Sequence, residues 1–446
     1  MNPYPHPQDR WQVRHRRIWQ LAWPLILSNL SVPLLGVVDT AILGHLPEAR
    51  YLGAVAVGAS ILSLLFWSFG FLRMGTTSLV ARACGRDDGD ASRLLLAQGM
   101  VLALLISAVL LALQGWLLPL ALHLMNPGNE VATLAHSYLA LRLHSAPATL
   151  ATYVLIGWFI GQQDTRSPLL ILVVTNLLNI VLDIVLIIGL GLNSDGAALA
   201  SVLAEYAGLA LGLWVLRTKL KGISGRLDTG LLRHWRSYLP LLDVNRHLFV
   251  RTLCLLGAFA FFTAQGARQG ELILAANAIL LQLVMLSAHG LDGFAHAAEA
   301  LTGKAIGARR LHQFLLACRD TTAWALAVAL LMVLIYAAGA PWLPGLFTGQ
   351  PEVLERVHRY YLWVCLLPLV AVWAYQLDGV FLGSGHTHAM QYTVIAAAIG
   401  VFLPLWWLTQ HWGNHGLWLA FVAFNGARGL FLGGWFIALT RYRRWL

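Results

Sequence analysis

The sequence predicts an all-α integral membrane protein, with twelve transmembrane helices in two six-helix lobes related by a pseudo-twofold axis. Three observations predict this class: the composition, the length of the apolar runs and an internal repeat. Of the 446 residues, 58% are hydrophobic and only 11% are charged, whereas a soluble domain carries roughly 25% charged residues. So few polar side chains cannot cover a water-facing surface of this size, and we expect the lipid bilayer to be the solvent.

The apolar runs are long enough to distinguish helices from the strands of a barrel. Residues 101–113, 169–192 and 324–338 are predominantly apolar, whereas barrel strands give short segments of alternating polarity. Within lipid, only helices and closed barrels satisfy their own backbone hydrogen bonds. The sequence therefore predicts a helical bundle.

A helix that crosses the bilayer needs about 20 apolar residues. The first apolar stretch is too long for the core of a secretory signal, and we interpret it as a retained span. By this criterion the sequence predicts twelve spans, at residues 18–44, 52–81, 92–118, 131–160, 168–191, 196–217, 238–264, 272–303, 311–338, 353–382, 391–411 and 416–439.

An internal repeat relates the two halves of the chain. The segment 157–161 recurs as 379–383, and Tyr138 recurs as Tyr360, each at an offset of 222 residues. Because each half holds an even number of spans, both halves enter the membrane in the same sense, and the repeats are parallel. In transporters built from such repeats the substrate route lies between or within the halves.

The repeat predicts the domain organisation. Residues 1–216 form an N-lobe with the first six spans, and residues 237–446 form a C-lobe with the last six. The segment 217–236 between them is rich in charge and contains Gly222 and Gly225, as expected of a flexible cytoplasmic linker.

We interpret the net charge of +10 as a sign of how the chain is oriented in the membrane, and not of nucleic-acid binding. Of the 30 Lys and Arg residues, 20 fall in segments on one side of the predicted bundle, including both termini and the linker. This distribution follows the positive-inside rule. We therefore expect a multi-pass protein of the inner (cytoplasmic) membrane with both termini in the cytoplasm, and no nucleic-acid partner.

Ionisable residues inside the first six spans point to function, because each costs about 2.5–3.5 kcal/mol to insert. Asp39 lies within the first span, behind Pro24, which can allow the helix to bend. Asn179 and Asp183 share one face of the fifth span, and Ser201 lies on the sixth. Such carboxyl, amide and hydroxyl groups can hold a proton or bind Na⁺. The alternative for Asp39 is that it only caps or crosslinks helices.

The second half has its own set of ionisable residues. Four of them fall within one arc of the eighth helix, which should face a cavity or other helices and not lipid. A transport role and an internal salt-bridge network are both open, and no metal-binding motif is present. The predicted C-lobe polar network consists of Asp292, His296, Glu299, Asp378 and Arg428, with His289 on the same arc and Arg246 and Arg251 as further opposite charges.

A family resemblance covers essentially the whole chain. The residues that carry it are Pro24 with Val37-Val-Asp39-Thr, Gly161-Gln-Gln-Asp-Thr165, Asn179-Ile-Val-Leu-Asp183, Leu291-Asp-Gly-Phe-Ala, Glu299-Ala, Gly307-Ala-Arg and Gly413-Asn-His-Gly-Leu-Trp. With these motifs the chain resembles the multidrug and toxic compound extrusion (MATE) family, and within it the DNA-damage-inducible protein F (DinF) group. The resemblance implies two six-helix lobes around a cleft, and a monomer without a cofactor.

The resemblance also assigns residues. It implies that Asp39, Asn179, Asp183 and Ser201 form a cation site in the N-lobe with Tyr138 nearby. Pro24 corresponds to the proline at which the first helix is proposed to bend. We expect H⁺ to be the coupling ion, with Na⁺ at the same residues as the alternative.

Three functions follow from the sequence. The first, which the family resemblance implies, is a cation-coupled antiporter that exports organic cations or amphipathic drugs by alternating access. The second is a flippase for lipids or lipid-linked precursors, which basic residues such as Arg142, Arg246 and Arg428 would favour by binding phosphates. The third is an intramembrane enzyme, but no pairing of nucleophile and base stands out, and we do not expect an enzyme.

Overall fold

The computed structural model describes residues 7–44, 48–126, 128–442 and 444–445. Every regular element in these ranges is helical, and none is a strand. The α-helices are α1 (Pro7–Gly44), α2 (Ala49–Ser68), α3 (Phe71–Gly85), α4 (Gly89–Met125), α5 (Asn129–Leu143), α6 (Ala146–Gly161), α7 (Arg166–Asp183), α8 (Asn193–Leu220), α9 (Thr229–Arg233), α10 (Leu239–Arg268), α11 (Glu271–Gly307), α12 (Leu311–Gly339), α13 (Pro351–Ser384), α14 (Thr387–Ala397), α15 (Leu403–Thr409) and α16 (Asn414–Arg441).

Two short π-helical segments interrupt this pattern. One continues α7 over Ile184–Gly189, and the other joins α14 to α15 over Ala398–Phe402. Single π-helical turns inside α-helices are rare and occur frequently at functional sites. The first of the two segments begins immediately after Asp183.

The helices have the length and composition of membrane spans. Among the described residues, ten helical segments are long and apolar enough to cross a bilayer, and the pair α5 and α6, bent by 50°, forms an eleventh if it is one span. These segments coincide with predicted spans two to twelve to within a few residues. The remaining predicted span, 18–44, lies within α1. The predicted all-α membrane fold is confirmed.

The outer surface of the bundle is apolar. Large side chains such as Leu105, Ile188 and Leu430 are 59%, 63% and 76% exposed. Soluble proteins rarely expose large contiguous apolar patches. These side chains are therefore suited to contact lipid tails.

The internal repeat is visible in the helix boundaries. The helical pair α2–α3 begins at Ala49 and ends at Gly85, and α11 begins at Glu271 and ends at Gly307. Both boundaries keep the offset of 222 residues that the sequence shows. In the first half the chain breaks between α2 and α3, whereas α11 is continuous. The same backbone plan is therefore built twice with local differences.

The contacts between helices repeat as well. A Cβ atom on Gly157 of α6 would lie 2.4 Å from the carbonyl oxygen of Arg73 on α3, and a Cβ on Gly379 of α13 would lie 2.2 Å from that of Ala295 on α11. The two glycines differ by 222 positions in the sequence, and so do the two residues whose carbonyl groups they approach. Small residues let membrane helices approach closely, so the glycines set the distance between these helices.

The contacts divide the chain into two compact units. The N unit comprises Leu27–Asn245, and the C unit comprises Met1–Ile26 together with Arg246–Leu446. The helix α1 therefore contributes its first part to the C unit and its second part to the N unit. The division of the sequence into residues 1–216, 217–236 and 237–446 describes the repeat, and it stays a prediction.

Within the C unit, the first part of α1 is held by apolar and polar contacts. Its Ile18 and Leu21 belong to one buried cluster with Phe294 of α11. The Arg14 Nε donates to Asp320 Oδ2 of α12 at 2.8 Å. A larger aromatic core lies elsewhere in the unit, around Phe262, Trp418, Phe421, Phe424 and Tyr360.

We predict that Gly157→Ala and Gly379→Ala each destabilise the protein. The added methyl group collides with a backbone carbonyl, and overpacking of this kind costs about 1–3 kcal/mol. Thermal unfolding of the detergent-purified protein measures the effect. Gly257→Ala is the matched control, because nothing lies within 4 Å of its Cβ position and alanine favours a helix. Unfolding temperatures equal to that of the control would contradict the assigned role of these glycines.

Candidate functional site

The predicted residues of the fifth and sixth spans meet in the N unit. Asn179 and Asp183 are one turn apart on α7, and Ser201 faces them from α8. In the orientation that satisfies both neighbours, the Asn179 amide nitrogen donates to Asp183 Oδ2 at 2.8 Å, and its oxygen accepts from Ser201 Oγ at 3.1 Å. Asn179 and Asp183 are 3% and 2% exposed. The polar groups are therefore held by one another away from solvent.

Asp39 of α1 joins this group. Its side chain lies within hydrogen-bonding reach of the Asp183 carboxyl group and close enough to Arg142 for an electrostatic interaction. A hydrogen bond between two carboxyl groups requires that one of them carries a proton. The two acids are therefore close enough for a proton to lie between them.

Tyr138 and Arg142 of α5 extend the cluster towards α8. Tyr138 lies close to Arg142, and the Arg142 guanidinium donates to Glu205 Oε1. The hydroxyl of Thr149 on α6 donates to the other Glu205 oxygen. Helices α5, α6 and α8 are thus joined by one ion pair and its hydrogen bonds. We name the group Asp39, Asp183, Arg142 and Glu205 the N-unit cluster.

The formal charge of the N-unit cluster depends on the aspartates. With both aspartates ionised, the formal charges of the four groups sum to −2. Each proton taken up by the two aspartates makes this sum less negative by one. A negative group inside a low-dielectric environment is costly unless it is paired. The cluster becomes neutral when the two aspartates carry two protons.

The structure thus brings together all five predicted N-lobe residues, and their function as a cation site stays a prediction. The pairing of Arg142 with Glu205 was missed at the level of sequence. Its signal was available, because an arginine and a glutamate inside apolar spans each need a partner of opposite charge. Because the two residues are 63 positions apart in the chain, the sequence did not indicate that they form a pair.

Pro24 lies on α1 and is buried. Two residues after Pro24, between Ile26 and Leu27, α1 passes from the C unit to the N unit. Proline cannot donate a backbone hydrogen bond to the residue four positions earlier. The helix therefore lacks one backbone hydrogen bond close to this transition, and a bend there stays a prediction.

The predicted C-lobe network forms around Asp378 of α13. Asp378 Oδ2 accepts from Arg251 of α10 and, at 2.8 Å, from Arg428 of α16. Arg428 also donates to Asn425 at 3.1 Å. Both arginines and Asp378 are buried. One carboxylate thus holds two guanidinium groups and links three helices of the C unit.

The other predicted C-lobe residues lie on α11. His296 Nδ1 lies 3.4 Å from Glu299 Oε2, and Glu299 is fully buried. Asp292 is close enough to Tyr375 for an electrostatic interaction, and Tyr375 is similarly close to Arg251 and Arg428. Among the residues that the structure describes, no group of three or more His, Cys, Asp or Glu side chains could hold a metal ion.

Comparison with known proteins shows the family. The MatE family profile matches residues 24–185 and matches again over residues 248–408. The chain belongs to the MatE family. The two matches, one in each half, agree with the internal repeat, and the family resemblance predicted from the motifs is confirmed. Its members are multidrug and toxin efflux transporters.

Individual relatives support this placement. The DNA damage-inducible protein F of Escherichia coli K12 is 44% identical, over 94% of this chain and 91% of its own length. The probable multidrug resistance protein NorM of Thermotoga maritima is 24% identical, over 90% of this chain and 85% of its own length. A crystal structure of a MATE protein in the bent conformation has a TM-score of 0.86 at 21% identity and covers 96% of each chain. The fold is therefore the MATE fold.

We predict that Glu205→Leu destabilises the protein, because it leaves Arg142 without its carboxylate. Breaking a buried pair costs about 3–5 kcal/mol, and we expect the lower end because the two side chains are 15% and 20% exposed. The double variant Arg142→Leu/Glu205→Leu should recover most of the loss, since no unpaired charge remains. Thermal unfolding measures both variants. A single variant as stable as the wild type would show that the pair is not structural.

Proposed function

We propose that the protein exports organic cations or amphipathic drugs in exchange for an entering cation, by alternating access. The observation that carries this proposal is the N-unit cluster. Its two aspartates lie within hydrogen-bonding reach, and its formal charge changes from −2 to zero as the pair takes up protons. An entering cation and a positively charged substrate would compete for the same negative charge, which is what exchange requires.

H⁺ is the coupling ion that this geometry favours. Na⁺ is a hard cation, and we expect it to need several oxygen ligands with free lone pairs, as other hard cations do. Here the Asn179 amide donates to Asp183, and the two carboxyl groups lie within hydrogen-bonding reach of each other. These contacts suit a proton-loaded site better than a Na⁺ site, although the same four predicted residues could rearrange around Na⁺.

The helix α1 offers a route from the cluster to the rest of the molecule. Asp39 lies on the part of α1 that belongs to the N unit, and the part before Leu27 belongs to the C unit. A change at Asp39 can therefore be transmitted along one helix, with Pro24 as the site of bending. A ligand shifts such an equilibrium only by its differential affinity for the two states, so the substrate must disfavour the protonated one.

The flippase alternative is less well supported. It depended on arginines that could bind phosphate groups, and Arg142 and Arg428 instead donate to Glu205 and Asp378. The relatives are transporters, which agrees with a protein that is not an enzyme. Because one chain contains both copies of the repeat, we propose that a monomer in the inner membrane is the complete transporter, with both termini in the cytoplasm.

Replacing either aspartate should abolish efflux. We expect Asp39→Asn and Asp183→Asn to reduce drug efflux from cells to the background level, because neither amide can take up and release a proton. Protein abundance in the membrane should stay within about two-fold of the wild type. Asp87→Asn is the matched control, since Asp87 is exposed with a φ of 54°, a conformation that asparagine also adopts. Wild-type efflux by both site variants would refute the assignment.

Coupling can be separated from substrate choice in vesicles. We expect ethidium to move when the purified protein is reconstituted and a proton gradient is imposed, and not when only a Na⁺ gradient is imposed. Movement driven by Na⁺ alone would overturn the assignment of H⁺. If neither gradient moves ethidium while the protein is folded, a lipid-translocation assay in the same vesicles tests the flippase alternative.

A further inference from the structure

A pocket of about 400 Å³ lies at the C-terminal end of α8 in the N unit, away from the N-unit cluster. Three basic residues and three leucines line it, and the lining includes no acidic residue. The residues are Arg93 of α4, Leu213, Leu216, Arg217 and Leu220 of α8, and Lys221 directly after α8.

Leucines and basic residues are interleaved along the last turns of α8. Leu213, Leu216 and Leu220 recur at intervals of three and four residues, which places them on one face of the helix. Arg217 lies between Leu216 and Leu220, and Lys221 is the first residue after α8, so the cations stand beside the leucines. Leu213 is 45% exposed and its neighbour Trp214 is 64% exposed, so this face is open to lipid. The pocket therefore offers an amphiphile both apolar side chains and positive charge.

The basic wall of the pocket is fixed by Arg93. Its Nη2 donates to the carbonyl oxygens of Leu220 and Ile223 at 2.7 and 2.8 Å, which ties α4 to the end of α8. Its Nε is buried and has no hydrogen-bond partner. Lys219, on the same turn of α8, is instead engaged by Asp164 at 2.8 Å. Arg93, Arg217 and Lys221 thus remain as the cations of the pocket.

We propose that this pocket binds an anionic phospholipid. The phosphate of the headgroup would contact Arg93, Arg217 and Lys221, and an acyl chain would lie along the three leucines. Basic pockets between membrane helices bind anionic headgroups in this way. The proposal rests on the membrane placement of the family and not on the coupling ion or the exported substrate.

The leucines distinguish this occupant from a free phosphate. A soluble phosphate ester would use the cations alone and would gain nothing from a half-exposed apolar face. A lipid satisfies the cations and the leucines at once. A bound lipid would also stabilise the start of the connection from α8 to α10, because Arg93 donates hydrogen bonds to the backbone there.

Native mass spectrometry of the purified full-length protein tests the proposal with phosphatidylglycerol and phosphatidylcholine as probes. We expect phosphatidylglycerol to bind more tightly than phosphatidylcholine. Each basic residue near a membrane surface contributes about a five-fold change in affinity. The double variant Arg217→Gln/Lys221→Gln should therefore bind phosphatidylglycerol about 25-fold more weakly, and Leu213→Ala should weaken it without changing the charge.

Arg233→Gln is the control for charge, because Arg233 is exposed on α9 outside the pocket, and it should bind as the wild type does. Equal binding of the two lipids, or an unchanged affinity in the double variant, would overturn the proposal. Displacement of the lipid by millimolar inorganic phosphate would show a phosphate site and would also overturn it. A loss of thermal stability without a loss of lipid binding would show that the cations only complement the C-terminal dipole of α8. Because none of these readouts involves transport, they stand apart from the test of the antiporter.

Discussion

A charged side chain in the middle of a bilayer costs about 2.5–3.5 kcal/mol on insertion scales, and this cost organises the interior of the protein. Among the described residues, several ionisable side chains of the spans lie in groups. Arg142 is paired with Glu205, Asp39 lies beside Asp183, and Asp378 holds both Arg251 and Arg428. Each group joins several helices, so the packing of the bundle and the placement of its charges depend on one another.

The duplicated chain uses one scaffold for two different interiors. The close contacts at Gly157 and Gly379 are equivalent at an offset of 222 residues, and so are the boundaries of the helices around them. The ionisable residues are not equivalent. At the same offset Asp39 corresponds to Phe261, and Asp378 corresponds to Ile156. Backbone packing was therefore retained in both halves, while the polar groups that distinguish their chemistry diverged.

The asymmetry explains why the N unit is the stronger candidate for ion coupling. Its cluster contains two acids within reach of one another, and its charge changes as they take up protons. In the C unit, Asp378 instead accepts hydrogen bonds from two guanidinium groups, which links three helices in one network. The proposed exchange needs a connection between the N-unit cluster and the rest of the molecule, and α1 is the element that contributes to both units.

The sequence by itself determined the fold class, the spans and the family. These properties depend on composition, on the length of apolar runs and on a repeat of fixed offset, all of which can be read along the chain. The motif residues also pointed to Asp39, Asn179 and Asp183. What the sequence lacked was the pairing of residues on different helices.

Only the tertiary structure decided which side chains meet. It joined Arg142 to Glu205 and gave both Arg251 and Arg428 to Asp378, whereas the sequence had placed the two arginines as possible partners of the α11 residues. It also showed that α1 passes from one unit to the other beside Pro24. The physical reason is that a membrane helix has the same periodicity whatever its neighbours are. The rotation and neighbours of each helix are set by close packing and by the pairing of buried charges. Packing and pairing both depend on contacts between residues far apart in the chain.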